Sequence, residues 1–326
     1  MTIQPLSFLC MLCSLLPALW CSSVAYAQAP YPSKPIRLIV PFPPGGGAEA
    51  TARLIAQKIG ESLGQTVVVE TRAGAGGNIG TEYVARAQPD GYTLLLATNG
   101  MAIQPHLQKL SWDPMKDFTP VGLVAVYSLV IAVHPSVAAQ NLPELIAYAK
   151  AHPRQLTYGS SGSGGPLHMG AELFRSHAGI DLLHVPYKGN APMTIALLSG
   201  EINMVFDSPV GPLPNIRAGK VRALATTGKR RSSSLPDVPT VIESGLPGFE
   251  YESWNGIVAP AGTPKDIVAR LSNEVAKAVA SPDVRERLIA LGYEPRVAKT
   301  DDFANLIAAD MNRFGRVVKD VGMKLD

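Results

Sequence analysis

Cysteine is scarce in this 326-residue chain: Cys10, Cys13 and Cys21 are the only three, and none follows position 21. Charge is missing from the start, with no Asp, Glu, Lys or Arg before Lys34. There is no G-x-x-x-x-G-K-[ST] loop, no H-E-x-x-H pair, and no later apolar run that approaches spanning length. Each absence excludes something. A chain cut after its N-terminal segment carries no thiol, so disulfide, metal–thiolate and cysteine-nucleophile chemistry are excluded. Without the phosphate loop, the common nucleotide cradle is gone. The six histidines, His106, His134, His152, His168, His177 and His184, show no metal-ligand spacing, and no metal or other cofactor is expected. The net charge of +3 is small and scattered. Its densest basic run, Lys229-Arg230-Arg231, lies beside serines and reads as a solvated loop, so no nucleic-acid partner is expected.

What the N-terminus does contain is an almost wholly apolar stretch over residues 6–20, followed by Ala25 and Ala27 in the A-x-A arrangement. This predicts a secretory signal peptide over residues 1–27 and a periplasmic mature protein. Ala27 and Ala29 offer a second cut, and the residues before the apolar stretch lack the usual Lys or Arg. The stretch is shorter than the roughly 20 apolar residues of a spanning helix. Bulky Trp20 makes Cys21 a poor lipidation site. About 300 residues remain, which suits two domains better than one compact core.

Beyond the leader, strand-like and helix-like segments alternate. Residues 36–40, 67–69 and 93–97 read as strands, with helical spacing from Glu49 and over 79–87 between them. A second unit begins near Ser128, with strands at 129–133, 156–158, 182–185 and 202–206. Asn141 and Glu144, with Pro143 in the first turn, cap its first helix. After a Pro- and Gly-rich stretch comes a strand at 256–259. Three helices then close the chain, begun by Thr263-Pro264, Ser281-Pro282 and Thr300. The pattern predicts an α/β protein of mostly parallel sheets. Its first lobe spans 28–127 and 254–326 and its second 128–253. Two crossings, near Ser128 and near Trp254, form a two-strand hinge beside a ligand cleft.

Three glycine-rich loops, at 43–48, 74–80 and 159–165, sit at strand-to-helix junctions. Helix N-termini there suit an anion, although each loop alone also reads as a tight turn. Gly159-Ser160-Ser161-Gly162-Ser163 nearly makes G-x-S-x-G, but Ser163 replaces the last glycine and breaks the nucleophile elbow. The alternative from another class is therefore an exported serine hydrolase using Ser161 or Ser160 with His168. His168 equally reads as a structural histidine bonding the loop. Asp207 reads as a turn cap or a cleft-facing acid, and Trp254 as core or hinge packing.

Taken together, the motifs carry a resemblance. They run through Val40-Pro41-Phe42-Pro43-Pro44-Gly45-Gly46, Ala75-Gly76-Gly77-Asn78-Ile79-Gly80 and Pro89-Asp90-Gly91-Tyr92-Thr93. Asp117-Phe118-Thr119-Pro120-Val121, Tyr158-Gly159-Ser160-Ser161-Gly162 with His168, and Val185-Pro186-Tyr187-Lys188-Gly189 follow. Leu235-Pro236-Asp237-Val238-Pro239-Thr240 and Ala259-Pro260-Ala261-Gly262-Thr263-Pro264 complete the series. The chain resembles the Bug receptors, the substrate-binding proteins of tripartite tricarboxylate transporters. The resemblance implies a type II periplasmic-binding-protein fold. It also implies a monomeric, non-enzymatic receptor that passes a small organic carboxylate to a membrane permease or presents it to a sensor kinase. It points to Phe42, Gly46, Gly47 and Ala48 on one side of the ligand and to Ser160, Ser161, Gly162 and Gly164 on the other. Thr98, His168 and Asp207 are further candidates. The family usually has Asp where this chain has Glu49, and often Thr or Ser at the positions of Gly47 and Ala48. Missing hydroxyls and altered capping geometry follow from those departures.

Overall fold

The computed structural model describes residues 31–325, so the expected signal peptide and all three cysteines lie outside the described residues. The first strand, β1 (Ile36–Val40), reads Ile-Arg-Leu-Ile-Val and is buried on both faces, as a parallel strand covered from both sides must be. Prolines end it, and Gly45, with φ of +86°, turns the chain directly into α1 (Gly47–Leu63). That helix buries Ala52, Ile55, Ala56 and Ile59 along one stripe and stops at Gly64 in the left-handed conformation. β2 (Val67–Thr71), α2 (Asn78–Ala85), β3 (Thr93–Thr98), α3 (Gly100–Ile103) and the long β4 (Phe118–Ser128) follow.

One residue later, β5 (Val130–Val133) starts a second sheet. It is joined by α4 (Leu142–Ala151), β6 (Thr157–Ser160), α5 (Pro166–Ala178), β7 (Leu183–Pro186), α6 (Asn190–Ser199), β8 (Met204–Asp207), α7 (Pro212–Arg217) and β9 (Arg222–Thr226). The chain then returns through β10 (Glu252–Pro260), α8 (Lys265–Ala280), α9 (Pro282–Ala290), β11 (Glu294–Lys299) and α10 (Thr300–Val321).

The first sheet has the order β11-β4-β10-β3-β1-β2 and the second β7-β6-β8-β5-β9. Both are mixed rather than mostly parallel. β1 is parallel to β2 and β3, whereas β10 runs antiparallel to β3 and β4 because it re-enters from the second sheet. In the second sheet β6 is parallel to β7 and β8, while β5 opposes β8 and β9. One face of the first sheet packs on α1 and α8; the other, with Ile39, Leu95 and Val258, packs on α2 and α10 through Val84, Phe303 and Ile307.

The passages between the sheets are tied together by one buried side chain. Thr227 exchanges backbone bonds with Leu129 and Tyr251, while its hydroxyl accepts from Leu129 N–H at 2.8 Å and donates to Tyr251 O at 2.7 Å. Trp254 is the third residue of β10. Its Nε1 donates to Asp310 at 2.7 Å and its ring meets Phe303 edge-on.

Local signals fared unevenly. Asn141 Oδ1 accepts from Glu144 N–H, and Glu144 reaches back to Gln140 N–H, completing the expected cap of α4. Thr300 is the first residue of α10 and Lys299 its cap; Thr263 turns its hydroxyl back to Pro260 O. β11, between the last two helices, is an edge strand whose alternation is broken by a bulge between Pro295 and Ala298. No helix of the described residues is long and apolar enough to cross a membrane.

Candidate functional site

The carboxyl ends of β1, β2 and β6 bring the three glycine loops into contact. On the first sheet, Gly46 is the extended N-cap of α1 and supplies no side-chain cap. The N–H groups of a first helical turn have no acceptor within the helix. Gly47 and Ala48 line a cavity there without a side chain that could intervene. Glu49 holds the turn instead. Its Oε2 accepts from Gly45 N–H at 2.7 Å, and its Oε1 accepts from Arg53 at 2.6 Å. The Gly45 N–H, helped by Arg53 and against the effect of burial, keeps the Glu49 carboxyl below its usual range.

On the second sheet, Ser160 ends β6 and is fully buried. Its Oγ lies 2.7 Å from His184 Nε2 and accepts from Gly162 N–H at 3.3 Å. His168, near the start of α5, accepts from Gly164 N–H through Nδ1 at 3.0 Å. The His168 and His184 rings stack at 3.9 Å, and Tyr158 stacks on His184. Imidazoles and one hydroxyl therefore brace this loop from behind. The imidazole that Ser160 meets is His184, so the pair fixes a loop rather than presenting an exposed nucleophile. α5 itself begins after Gly165, again with no side-chain cap.

A side chain that sequence reasoning did not single out joins the halves. Gln104 Nε2 donates to Gly164 O at 3.0 Å and to Gly76 O at 3.5 Å. Asn78 and Gln108 donate to its Oε1. A Cβ on Gly76 would lie 2.7 Å from Ser163 O, so the second and third loops touch.

Phe42, Gly46, Gly47, Ala48, Thr98 and Ser161 line an inner cavity of about 40 Å³, enough for about one water. Tyr127, Asn190, Ser208 and Tyr293, none of them singled out by the sequence, complete its polar lining. No Lys or Arg lines it. Phe42 and Ser161 also line an outer cleft of about 510 Å³, together with Gly76, Gly162, Ser163 and Lys188. Ser160, Gly164, His168 and Asp207 line neither cavity and stand behind them. Asp207 ends β8, is buried, and accepts from Asn190 Nδ2 at 2.6 Å. Burial pushes its carboxyl up to about 7, against the pull of Ser208 and Asn190. Asn190 spans the cavity: its Oδ1 sits 2.8 Å from where a Cβ on Gly46 would stand.

Another cavity, about 730 Å³, is an open groove beside the starts of β1 and β3. Its cations are already paired, Lys34 with Asp90, Arg37 with Glu70 and Arg86 with Glu82. It also lies at the opposite end of the strands from the crevice where α/β sheets take ligands. Among the described residues, no group of His, Cys, Asp and Glu is arranged to hold a metal ion.

Residues 51–323 match the family model described as the Tripartite tricarboxylate transporter family receptor. Protein BugT of Bordetella pertussis is 37% identical over 301 residues, covering 90% of this chain and 91% of its own. The structure of R. palustris Rpa4515 with adipate is 36% identical, with a TM-score of 0.87, covering 91% of this chain and 100% of that one. MatC from Rhodopseudomonas palustris, solved with bound malate, is 34% identical with a TM-score of 0.82 over 88% of this chain and 100% of its own.

Proposed function

The chain belongs to the tripartite tricarboxylate transporter receptor family, and from that premise we propose that it captures a small organic carboxylate in the periplasm. The observation that carries the proposal is the inner cavity. It lies between the uncapped N-terminus of α1 and the serine–glycine loop that leads into α5, with no cation in its lining. Backbone N–H groups bound to an anion make charge-assisted hydrogen bonds, and two helix N-termini add partial positive charge.

In this reading Gly46, Gly47 and Ala48 offer amides from one side, and the loop from Ser161 to Gly164 faces them from the other, its Gly162 and Gly164 N–H groups held by Ser160 and His168. Thr98 and Ser161 add hydroxyls, directly or through water, and Phe42 forms an apolar wall. Ser160, His168 and Asp207 act from behind by fixing loops and Asn190. The first lobe comprises 28–127 and 254–326, the second 128–253. A six-carbon diacid does not fit in about 40 Å³, so in this reading the lobes stand further apart about the Thr227 crossings when the acid is bound. The protein works as a monomer, performs no bond chemistry, and delivers its ligand to a membrane permease. The adipate-bound and malate-bound relatives support acids of four to six carbons.

Thermal shift against mono-, di- and tricarboxylates tests this. An acid at 100 times its Kd is expected to add about 2.7 kcal/mol and raise the melting point. Shifts with neutral or cationic compounds alone would overturn the carboxylate assignment. Ester hydrolysis lost on Ser160→Ala would overturn the non-enzymatic one.

A further inference from the structure

We propose that Tyr293 is a ligand-binding residue of this site, its phenol donating to the ligand carboxylate where position 47 has no side-chain hydroxyl. The inference rests on the carboxylate reading above. Tyr293 enters from the turn before β11. Its ring is buried, 1% exposed, and packs edge-on against Tyr127 at 4.7 Å. It lines the inner cavity beside Gly47 and Ser208.

Two independent observations converge on its hydroxyl. The first is that Oη has no hydrogen-bond partner among the described residues. Ser208 and Asn255 are near enough to offset part of the effect of burial, but neither meets the geometry of a hydrogen bond to it. Burial keeps the phenol protonated, so it is a donor in want of an acceptor. The second is its place. A Cβ on Gly47 would fall 1.8 Å from Tyr293 Oη and 3.1 Å from Ser208 Oγ. The phenol thus stands where the side chain of the first α1 residue would begin, next to the amides that have no intrahelical acceptor. Glycine at 47 and tyrosine at 293 are one structural choice: the hydroxyl reaches the helix start from a distant part of the chain. A ring packed on Tyr127 is a more rigid donor than a serine rotor.

Isothermal titration calorimetry of wild type and Tyr293→Phe, with malate and adipate as probes, tests the assignment. The variant is expected to keep its melting temperature without ligand and to bind every acid that wild type binds about 10- to 100-fold more weakly. Equal affinity of wild type and Tyr293→Phe would overturn the role of Tyr293 and leave the carboxylate reading standing. Wild type that binds neither these acids nor any other carboxylate would overturn both. Wild type supplies a readout independent of variant folding: saturation with acid should perturb near-ultraviolet tyrosine absorption, and an unchanged spectrum contradicts the proposal.

Discussion

Two carboxylates stand behind the same cleft and are treated in opposite ways. Glu49, in the first turn of α1 on the first lobe, stays ionised because Gly45 N–H and Arg53 surround it. Asp207, on the second, is buried against Asn190 and Ser208, and its pKa is carried up to about 7. An anion receptor built on backbone amides cannot tolerate a bare negative charge near those amides. One lobe meets the requirement by neutralising the charge with a partner, the other by making ionisation costly. The two devices differ in their response to pH, and that is where the comparison can be broken.

The largest expected effect belongs to Asp207→Asn. The folded pKa near 7 lies above the ordinary 3.8, so the folded state holds this proton more tightly. The associated stability is whole below the ordinary value and is lost as pH rises from about 4 through 7, by at most about 4 kcal/mol. Urea unfolding across that window should show the slope in wild type and a flatter profile in Asp207→Asn. Equal slopes would mean the carboxylate ionises freely. Ser160→Ala comes next, because it strips a buried partner from His184 and from Gly162; a loss of about 1–3 kcal/mol is expected in the same assay. Little change would show that the histidine stack holds the loop alone.

Glu49→Gln should cost less, about 0.5–1.5 kcal/mol, since an acceptor for Gly45 remains. Its sign is opposite to that of Asp207. A lowered carboxyl stabilises above its ordinary value, and that contribution fades as pH falls through the folded pKa. The Glu49→Gln deficit should therefore shrink below pH 4.5, and a deficit that grows in acid would contradict the account. Smallest is Arg53→Ala. That side chain is 64% exposed, and a helical i,i+4 pair of this kind contributes about 0.3–0.5 kcal/mol. A loss well above 1 kcal/mol would make Arg53 a structural anchor rather than a charge partner.

Much of this architecture was legible in the sequence for a simple reason. β1, β3, α1 and α4 carry their own periodicity, punctuation or caps, and the glycine loops mark strand-to-helix junctions wherever they end up in space. What was illegible depends on distant approach. β4 has Pro120 and Gly122 in its span and acquires its pairing from β10 and β11, both far along the chain. β11, with Pro295 and a mostly exposed face, has no alternation to read. Gln104, Asn190 and Tyr293 look like ordinary polar residues until folding sets them against Gly164, Gly46 and Gly47. His184 is the same kind of case. Its spacing predicted nothing, and its meaning comes from the parallel register that puts β7 beside β6, with His184 two residue pairs away from Ser160.

The central claim is that a carboxylate is taken by backbone amides and hydroxyls without a lysine or arginine clamp. The most direct measurement is a crystal structure of the protein with the acid that gives the largest thermal shift. The account predicts a carboxylate within hydrogen-bond reach of Gly47 and Ala48 amides, with the Ser161–Gly164 loop closing on it from the other side. A carboxylate held instead by Lys188 in the outer cleft, or by Lys34 and Arg37 in the groove at the far end of the strands, would contradict it.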